Sequence, residues 1–285
     1  MKAALLLTGR LVNATSLAVP PLGRHIAYTL FFRPAGRSRV HPREQAVHAA
    51  ATVGRVDLDG VPVTTYAWGD GRRPVLLLHG WSSRGSRFSR MITGLLDRGL
   101  SPVTFDAPGH GDSGGTSTNL LQYERIIRLL QERHGDFTAI VAHSFGVPCA
   151  FHALRTGVRA GRLVAVSGPA EFDHLITEFS RQLRLRPALA EHLRTRSVRD
   201  LGVADAWERF SSTFEPGSVT VPLLIAHDED DDVVEVGHGR RIHAAYPGSE
   251  LLITSGLGHR RILGDPRIVD RVSSFLDAET PATTH

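Results

Sequence analysis

A single cysteine, Cys149, stands in a chain of 285 residues. It can form no internal disulfide and rules out a cysteine-based metal site, a usage that suits a reducing cytoplasm. Lysine is equally scarce: Lys2 is the only one, so nearly all of the 33 basic residues are arginines. Against 29 acids they leave a formal charge of only +4, although the sequence pI is about 9.8. The basic residues form no dense run and are not interleaved with aromatics, so nucleic-acid binding has little support. No stretch reaches the ~18 uninterrupted apolar residues of a membrane span. A secretory leader is not expected, because Arg10 cuts short the apolar run Ala3–Leu7 and no clear cleavage site follows. What is present is an ordinary globular composition, 41% hydrophobic and 22% charged. A chain of this length buries roughly three quarters of its unfolded surface and needs no staple to fold.

Residues 1–50 stand apart. Two short helices are expected at about 2–18 and 22–32, separated by Pro20-Pro21, with Arg10, Arg24 and Arg33 set among Leu, Ile and Phe. They either pack on the main domain or dock on a membrane or over a pocket mouth, and peripheral membrane contact through residues 1–35 is kept open. From residue 51 the pattern changes. Val56–Leu58 and Val63–Trp68 read as a hairpin around Asp59-Gly60. Short apolar runs then alternate with helical segments: strand Val75–Leu78, helix Phe88–Leu96, strand Pro102–Phe105, helix Leu120–Glu132, strand Thr138–Ala142, helix Val147–Arg155 and strand Leu163–Val166. Strands without alternating polarity require cover on both faces, and the alternation predicts an α/β chain with a doubly wound, mostly parallel sheet. Residues 169–216 break the rhythm as a helical insertion. It resumes with strand Val219–Ala226, helix Gly237–Ala245, strand Leu251–Thr254 and helix Ile262–Leu276. The core is therefore placed at 51–168 and 217–279, and Glu279–His285 reads as a frayed tail.

The chemistry-bearing residues gather at strand ends. Ala142-His143-Ser144-Phe145-Gly146 joins a buried strand to a helix, with small residues two positions either side of Ser144. A nucleophilic serine on a sharp strand-to-helix turn needs that room. Its hydroxyl needs a base within hydrogen-bond reach. His259 lies in a glycine-bearing loop after the last strand and is preferred to the adjacent His143, whose side chain is expected to leave the turn in another direction. The third member is a carboxylate. Asp228-Glu229-Asp230-Asp231-Asp232 follows a strand, and spacing alone does not choose among these five; a solvated acidic loop and a calcium site are the other readings of the run. The backbone N–H groups of Trp81 and Phe145 are candidates to hold an oxyanion, while the Trp81 ring suits either a pocket wall or the core. His110 and Asp112 lack a third metal ligand and read as a hydrogen-bonded turn.

With LLLHGW, FDAPGHGDSGG, VAHSFG and LLIAHDEDDDVV…GLGHRRIL in place, the chain resembles the α/β-hydrolase superfamily over about residues 55–278. The arrangement looks most like bacterial carboxylesterase-like proteins with a short helical cap. Its HGW loop is similar to that of esterases acting on carrier-protein-bound acyl chains. The resemblance implies a serine hydrolase for carboxylic esters or thioesters, working through an acyl-enzyme on Ser144 with no metal or organic cofactor. It maps the acid onto Asp231, with Asp230 as the alternative because Asp228 and Glu235 depart from the family pattern; relatives that take the acid from the preceding strand point to Glu171 or Asp173. A cap over 169–216 is expected to offer Phe172, Leu175, Phe179, Leu183 and Trp207 to an acyl group, with Phe172, Phe179 and Trp207 as the substrate-binding candidates. Two alternatives stand: carbon–carbon bond cleavage or lyase chemistry with the same residues, and a ligand-binding or membrane-docking protein on this fold.

Overall fold

The computed structural model describes residues 2–277; the tail expected at Glu279–His285 lies outside them. Eight strands form one sheet: β1 (Thr52–Leu58), β2 (Val61–Ala67), β3 (Pro74–Leu78), β4 (Ser101–Phe105), β5 (Ala139–His143), β6 (Leu163–Val166), β7 (Leu223–Asp228) and β8 (Glu250–Thr254). Their spatial order is β1-β2-β4-β3-β5-β6-β7-β8. The pairs β1–β2 and β2–β4 are antiparallel and all others parallel, so the expected doubly wound sheet is present. The β1–β2 hairpin turns on Asp59 (φ 53°) and Gly60 (φ 82°), the left-handed pair that a tight hairpin of this twist requires.

Among the described residues twelve α-helices accompany the strands: α1 (Lys2–Ala18), α2 (Pro20–Phe32), α3 (Gln45–Ala49), α4 (Ser89–Leu96), α5 (Leu120–His134), α6 (Gly146–Arg155), α7 (His174–Leu183), α8 (Pro187–Leu201), α9 (Ala206–Arg209), α10 (Val236–Ala245), α11 (Gly258–Arg261) and α12 (Pro266–Asp277). The central strands explain why both sheet faces are covered. Along β3, Leu76 and Leu78 enter one apolar cluster with helices α5, α6 and α10, while Val75 and Leu77 enter the opposite one with α4 and α12. The two-residue period of a strand sends its alternate side chains to opposite faces, so an unbroken apolar run fills two cores. A third, smaller cluster joins Val12 of α1 and Ala27 of α2 to Ile176, Leu189 and Leu193 of α7 and α8. The N-terminal hairpin thus packs on the helices inserted between β6 and β7.

Two expected elements are corrected. The strand expected at Val219–Ala226 begins only at Leu223 and runs on to Asp228; Pro216–Ser218 is a single 3-10 turn, and pairing to β6 starts after Pro222. The final helix expected over Ile262–Leu276 is interrupted. Asp265 is extended (ψ 128°) and α12 restarts at Pro266, because a proline excludes helical geometry at the residue before it and suits the first helical turn.

Candidate active site

The sequence Ala139–Gly146 builds a turn that few residues tolerate. β5 ends at His143, Ser144 takes φ 55°, and α6 begins at Gly146. A left-handed non-glycine residue is strained and persists only where its surroundings over-determine it. Here Ser144 N donates to Val166 O (3.0 Å) and Ser144 O accepts from Val147 N (2.9 Å). Small neighbours are obligatory: a Cβ on Gly146 would stand 2.5 Å from Leu78 O, and one on Gly80 2.7 Å from Ser144 Cβ. The methyl of Ala142 is fully buried at the fifth strand's end and is accommodated there.

Three of the singled-out side chains meet. His259 Nε2 lies 3.0 Å from Ser144 Oγ, and its Nδ1 lies 2.8 Å from Asp231 Oδ2. With Nδ1–H donated to the carboxylate, Nε2 turns its lone pair to the serine hydroxyl. Asp231 Oδ1 accepts from the N–H groups of Val233 (3.0 Å) and Val234 (2.9 Å). Burial alone would push the Asp231 carboxyl up; its hydrogen bonds to His259 and those two amides outweigh burial and hold it below the usual carboxylate range. So connected, a hydroxyl proton can pass to Nε2 while the carboxylate steadies the imidazolium.

The acidic run divides by burial. Asp228 and Asp231 are buried, whereas Glu229, Asp230 and Asp232 face solvent. Asp228 organises the histidine loop: its oxygens accept from Gly258 N (2.8 Å), Thr254 Oγ1 (2.7 Å), Leu257 N (3.1 Å) and Asp230 N (3.0 Å). Asp230, the alternative acid, instead accepts from Gly256 N at 2.7 Å. Glu171 pairs with Arg241 (2.7 and 2.9 Å) and Asp173 with Arg194, so neither is brought to His259.

Neutral histidines do the holding. His143 is buried and directs Nε2–H to the carbonyl of His259 at 2.8 Å, its ring 4.8 Å from the His259 ring. Burial lowers its pKa to about 3, so it serves as a neutral donor. His79 donates Nδ1–H to Gly80 O (2.8 Å) and accepts from Ala107 N (3.0 Å). His110 donates to Pro108 O (3.1 Å) and accepts from Ser82 N (3.0 Å). These two neutral rings, lowered by burial to about 4 and about 3, staple the loop that carries Trp81. Asp112 pairs with Arg84 at 2.5 Å, and Arg84 reaches buried Asp106 at 3.0 Å. Among the described residues no cluster of three or more His, Cys, Asp or Glu could hold a metal.

Trp81 and Phe145 flank Ser144, their rings edge-to-face at 5.6 Å, and the Trp81 ring is half-buried against the first sheet-face cluster. Phe172 is buried, stacked on Trp207 (5.5 Å) and 6.4 Å from the Phe145 ring. Phe179 lies farther out, edge-on to Phe31 of α2 at 5.3 Å.

Known proteins extend these observations. The solved esterase of Pyrococcus furiosus superposes with a TM-score of 0.64 at 19% identity, covering 86% of this chain and 96% of its own. A non-heme chloroperoxidase of Kitasatospora aureofaciens is 24% identical over 254 residues, 70% of this chain and 90% of that protein. An uncharacterized protein of Mycobacterium tuberculosis is 41% identical over 63 residues, 22% of this chain; the match spans only 18% of that relative's length. Residues 75–272, well over half of the chain, match the alpha/beta hydrolase family. The chain belongs to that family.

Proposed function

We propose that the protein is a serine hydrolase that cleaves a carboxylic ester or thioester through an acyl-enzyme on Ser144. The observation that carries this reading is the continuous hydrogen-bond path from Ser144 Oγ to His259 to Asp231, at 3.0 and 2.8 Å. Ser144 attacks the acyl carbonyl as His259 Nε2 takes its proton. Asp231 holds the tautomer and stabilises the imidazolium. His259 then returns the proton to the leaving alcohol or thiol, and water, activated by the same ring, releases the acid. The N–H groups of Phe145 and Trp81 face the developing oxyanion; losing one such donor typically raises the barrier by about 3 kcal/mol.

In this reading residues 51–168 and 217–277 form the hydrolase core, residues 169–216 form a cap, and residues 1–50 are an extension packed on it. Phe172 and Trp207 line the acyl side, with Phe172 nearest the nucleophile through Phe145, whereas Phe179, expected beside them, packs on Phe31 of α2 and stands outside that path. Peripheral membrane contact through residues 1–35 belongs to the same reading, supported by the apolar outer face of α1. Among the described residues no helix is long and apolar enough to cross a membrane.

A fluorophosphonate probe tests the chemistry. Stoichiometric labelling of Ser144 in folded protein is expected, with p-nitrophenyl esters and acyl thioesters turned over and a chain-length optimum among them. Folded protein that leaves Ser144 unlabelled would sink the mechanism.

A further inference from the structure

The excess of positive charge and most of the exposed large apolar side chains among the described residues gather in the N-terminal segment. Residues 1–43 contain seven Lys and Arg and no Asp or Glu; the first acid is Glu44, and the rest of the chain carries 26 basic residues against 29 acidic ones. Six large apolar side chains are exposed among the described residues. Five of them are Leu7, Leu11, Leu17, Val19 and Leu22, each 48 to 65% exposed, and the sixth is Val53. Leu7 and Leu11 are four residues apart on α1, and exposed Ala3, Ala14 and Ala18 continue their stripe. The inner face is already satisfied, since Val12 and Ala27 are buried against α7 and α8. A helix apolar on both faces is ordinarily buried on both.

We infer that the α1–α2 hairpin is a docking surface for an anionic phospholipid bilayer, lying in the plane of the headgroups. The reasons are chemical. Leucines on the outer stripe partition into the acyl boundary, while exposed Arg10, Arg24 and Arg33, which have no acidic partner among the described residues, meet lipid phosphates. The exposed arginines of this segment, with no acid anywhere in residues 1–43, complement an anionic leaflet and disfavour a second copy of the same face.

The hairpin is fastened rather than tethered. Asn13 Nδ2 donates to Arg184 O (2.8 Å) and Asn13 Oδ1 accepts from Arg186 N (3.0 Å), both at the α7–α8 turn. Gly9 lies so close that a Cβ there would stand 1.7 Å from Leu183 O. Because α7 and α8 follow the carboxyl end of β6, beside the end of β5 that carries Ser144, docking turns the Ser144 side of the sheet toward the lipid. Entry of apolar acyl esters from the bilayer follows, and this last step rests on the serine-hydrolase reading.

Co-sedimentation of the full chain with vesicles tests the docking, using phosphatidylcholine alone and phosphatidylcholine mixed with phosphatidylglycerol. Binding is expected on the mixed vesicles, weaker on phosphatidylcholine, and reduced by added salt. Replacing Leu7, Leu11 and Leu17 together by serine is expected to weaken partitioning by about a hundredfold or more. Arg10→Gln with Arg24→Gln is expected to cost about fivefold per cation on the mixed vesicles. Ser144→Ala is expected to bind vesicles like the parent, and the leucine variant to hydrolyse a short soluble ester like the parent, so failure of docking and failure of the hydrolase reading are separate results. Equal binding to both vesicle types, or undiminished binding by the leucine variant, would overturn the proposal. So would a dimer in lipid-free solution that the same leucine changes dissolve, since the face would then belong to a second copy.

Discussion

At the carboxyl ends of the strands, polar groups are buried and bound to one another: Arg84 on Asp106, Asp231 under His259, Asp228 under the loop that follows β8. On α1 and α2 the arrangement is reversed, with leucines in solvent and few polar ties beyond Asn13. A buried polar group is costly unless partnered, so each tie in the first region specifies one geometry. An apolar face in water specifies only that something else should cover it. Chemistry that depends on tenths of an ångström sits in the first region, and contact with an extended surface suits the second.

The comparison is tested most severely at the acids. If buried ties set the geometry, Asp231→Asn should lower kcat by about ten-thousandfold, because the amide no longer fixes the His259 tautomer. Asp230→Asn, which keeps an oxygen for Gly256 N, should stay within a few-fold of the parent. Equal losses in the two variants, measured on a soluble ester, would return the assignment to the ambiguity of the acidic run. Next in size is Arg84→Met. It leaves the fully buried Asp106 without its cation, and denaturant unfolding should show a loss of about 3–5 kcal/mol, partly recovered when Asp106→Asn is added.

His143 probes a neutral tie. His143→Leu leaves the His259 carbonyl without its donor and should reduce kcat by roughly ten- to a hundredfold, with KM little changed and stability lowered by about 1–3 kcal/mol. His143→Gln places an amide N–H near the same carbonyl and should recover most of that loss. If leucine and glutamine behave alike, the ring acts only by filling space.

Acid sensitivity follows from the same buried rings. Burial holds His79 at about 4 and His110 and His143 at about 3, against 6.5 for a free imidazole. Between about pH 6.5 and 4 the unfolded chain therefore binds protons that the folded chain refuses. Stability should decline across that window as pH falls, by about 1 kcal/mol per ring per pH unit. The depressed carboxylates Asp228 and Asp231 contribute stability above their unfolded pKa and lose it only at lower pH. A Tm that stays flat down to about pH 4 would show that these rings are not held neutral.

Much of the first region was legible because its constraints are local. Uninterrupted apolar runs required a sheet covered on both faces, and the small residues around Ser144 required a tight turn. The acid was not legible from spacing: five consecutive carboxylates look alike until β7 continues to Asp228 and alternate burial separates Asp228 and Asp231 from their neighbours. The hydrogen-bonded turn at His110 was legible, but the holding roles of His79 and His143 were not, because a neutral histidine bonded to main chain leaves no spacing signature. The break at Asp265 was signalled by Pro266 and overlooked within an apolar period. The second region was legible as two helices, but their seat on α7 and α8 depends on contacts more than 150 positions distant, such as Asn13 with Arg184.

The smallest expected effect lies where the two regions meet. Phe172 is buried and reaches the Phe145 ring, whereas Phe179 packs on Phe31 of the N-terminal hairpin. If the acyl group lies along the Phe145 side, Phe172→Ala should shift the chain-length optimum and cost the best substrate about tenfold in kcat/KM. Phe179→Ala should leave that optimum in place on soluble esters and act instead through the joint between α2 and α7. Its effect should appear as a few-fold loss on vesicle-borne substrate, with soluble turnover intact. Were Phe179→Ala to move the optimum and Phe172→Ala not, the acyl path would run under the hairpin, and the division between a chemical region and a docking region would have to be redrawn at α7.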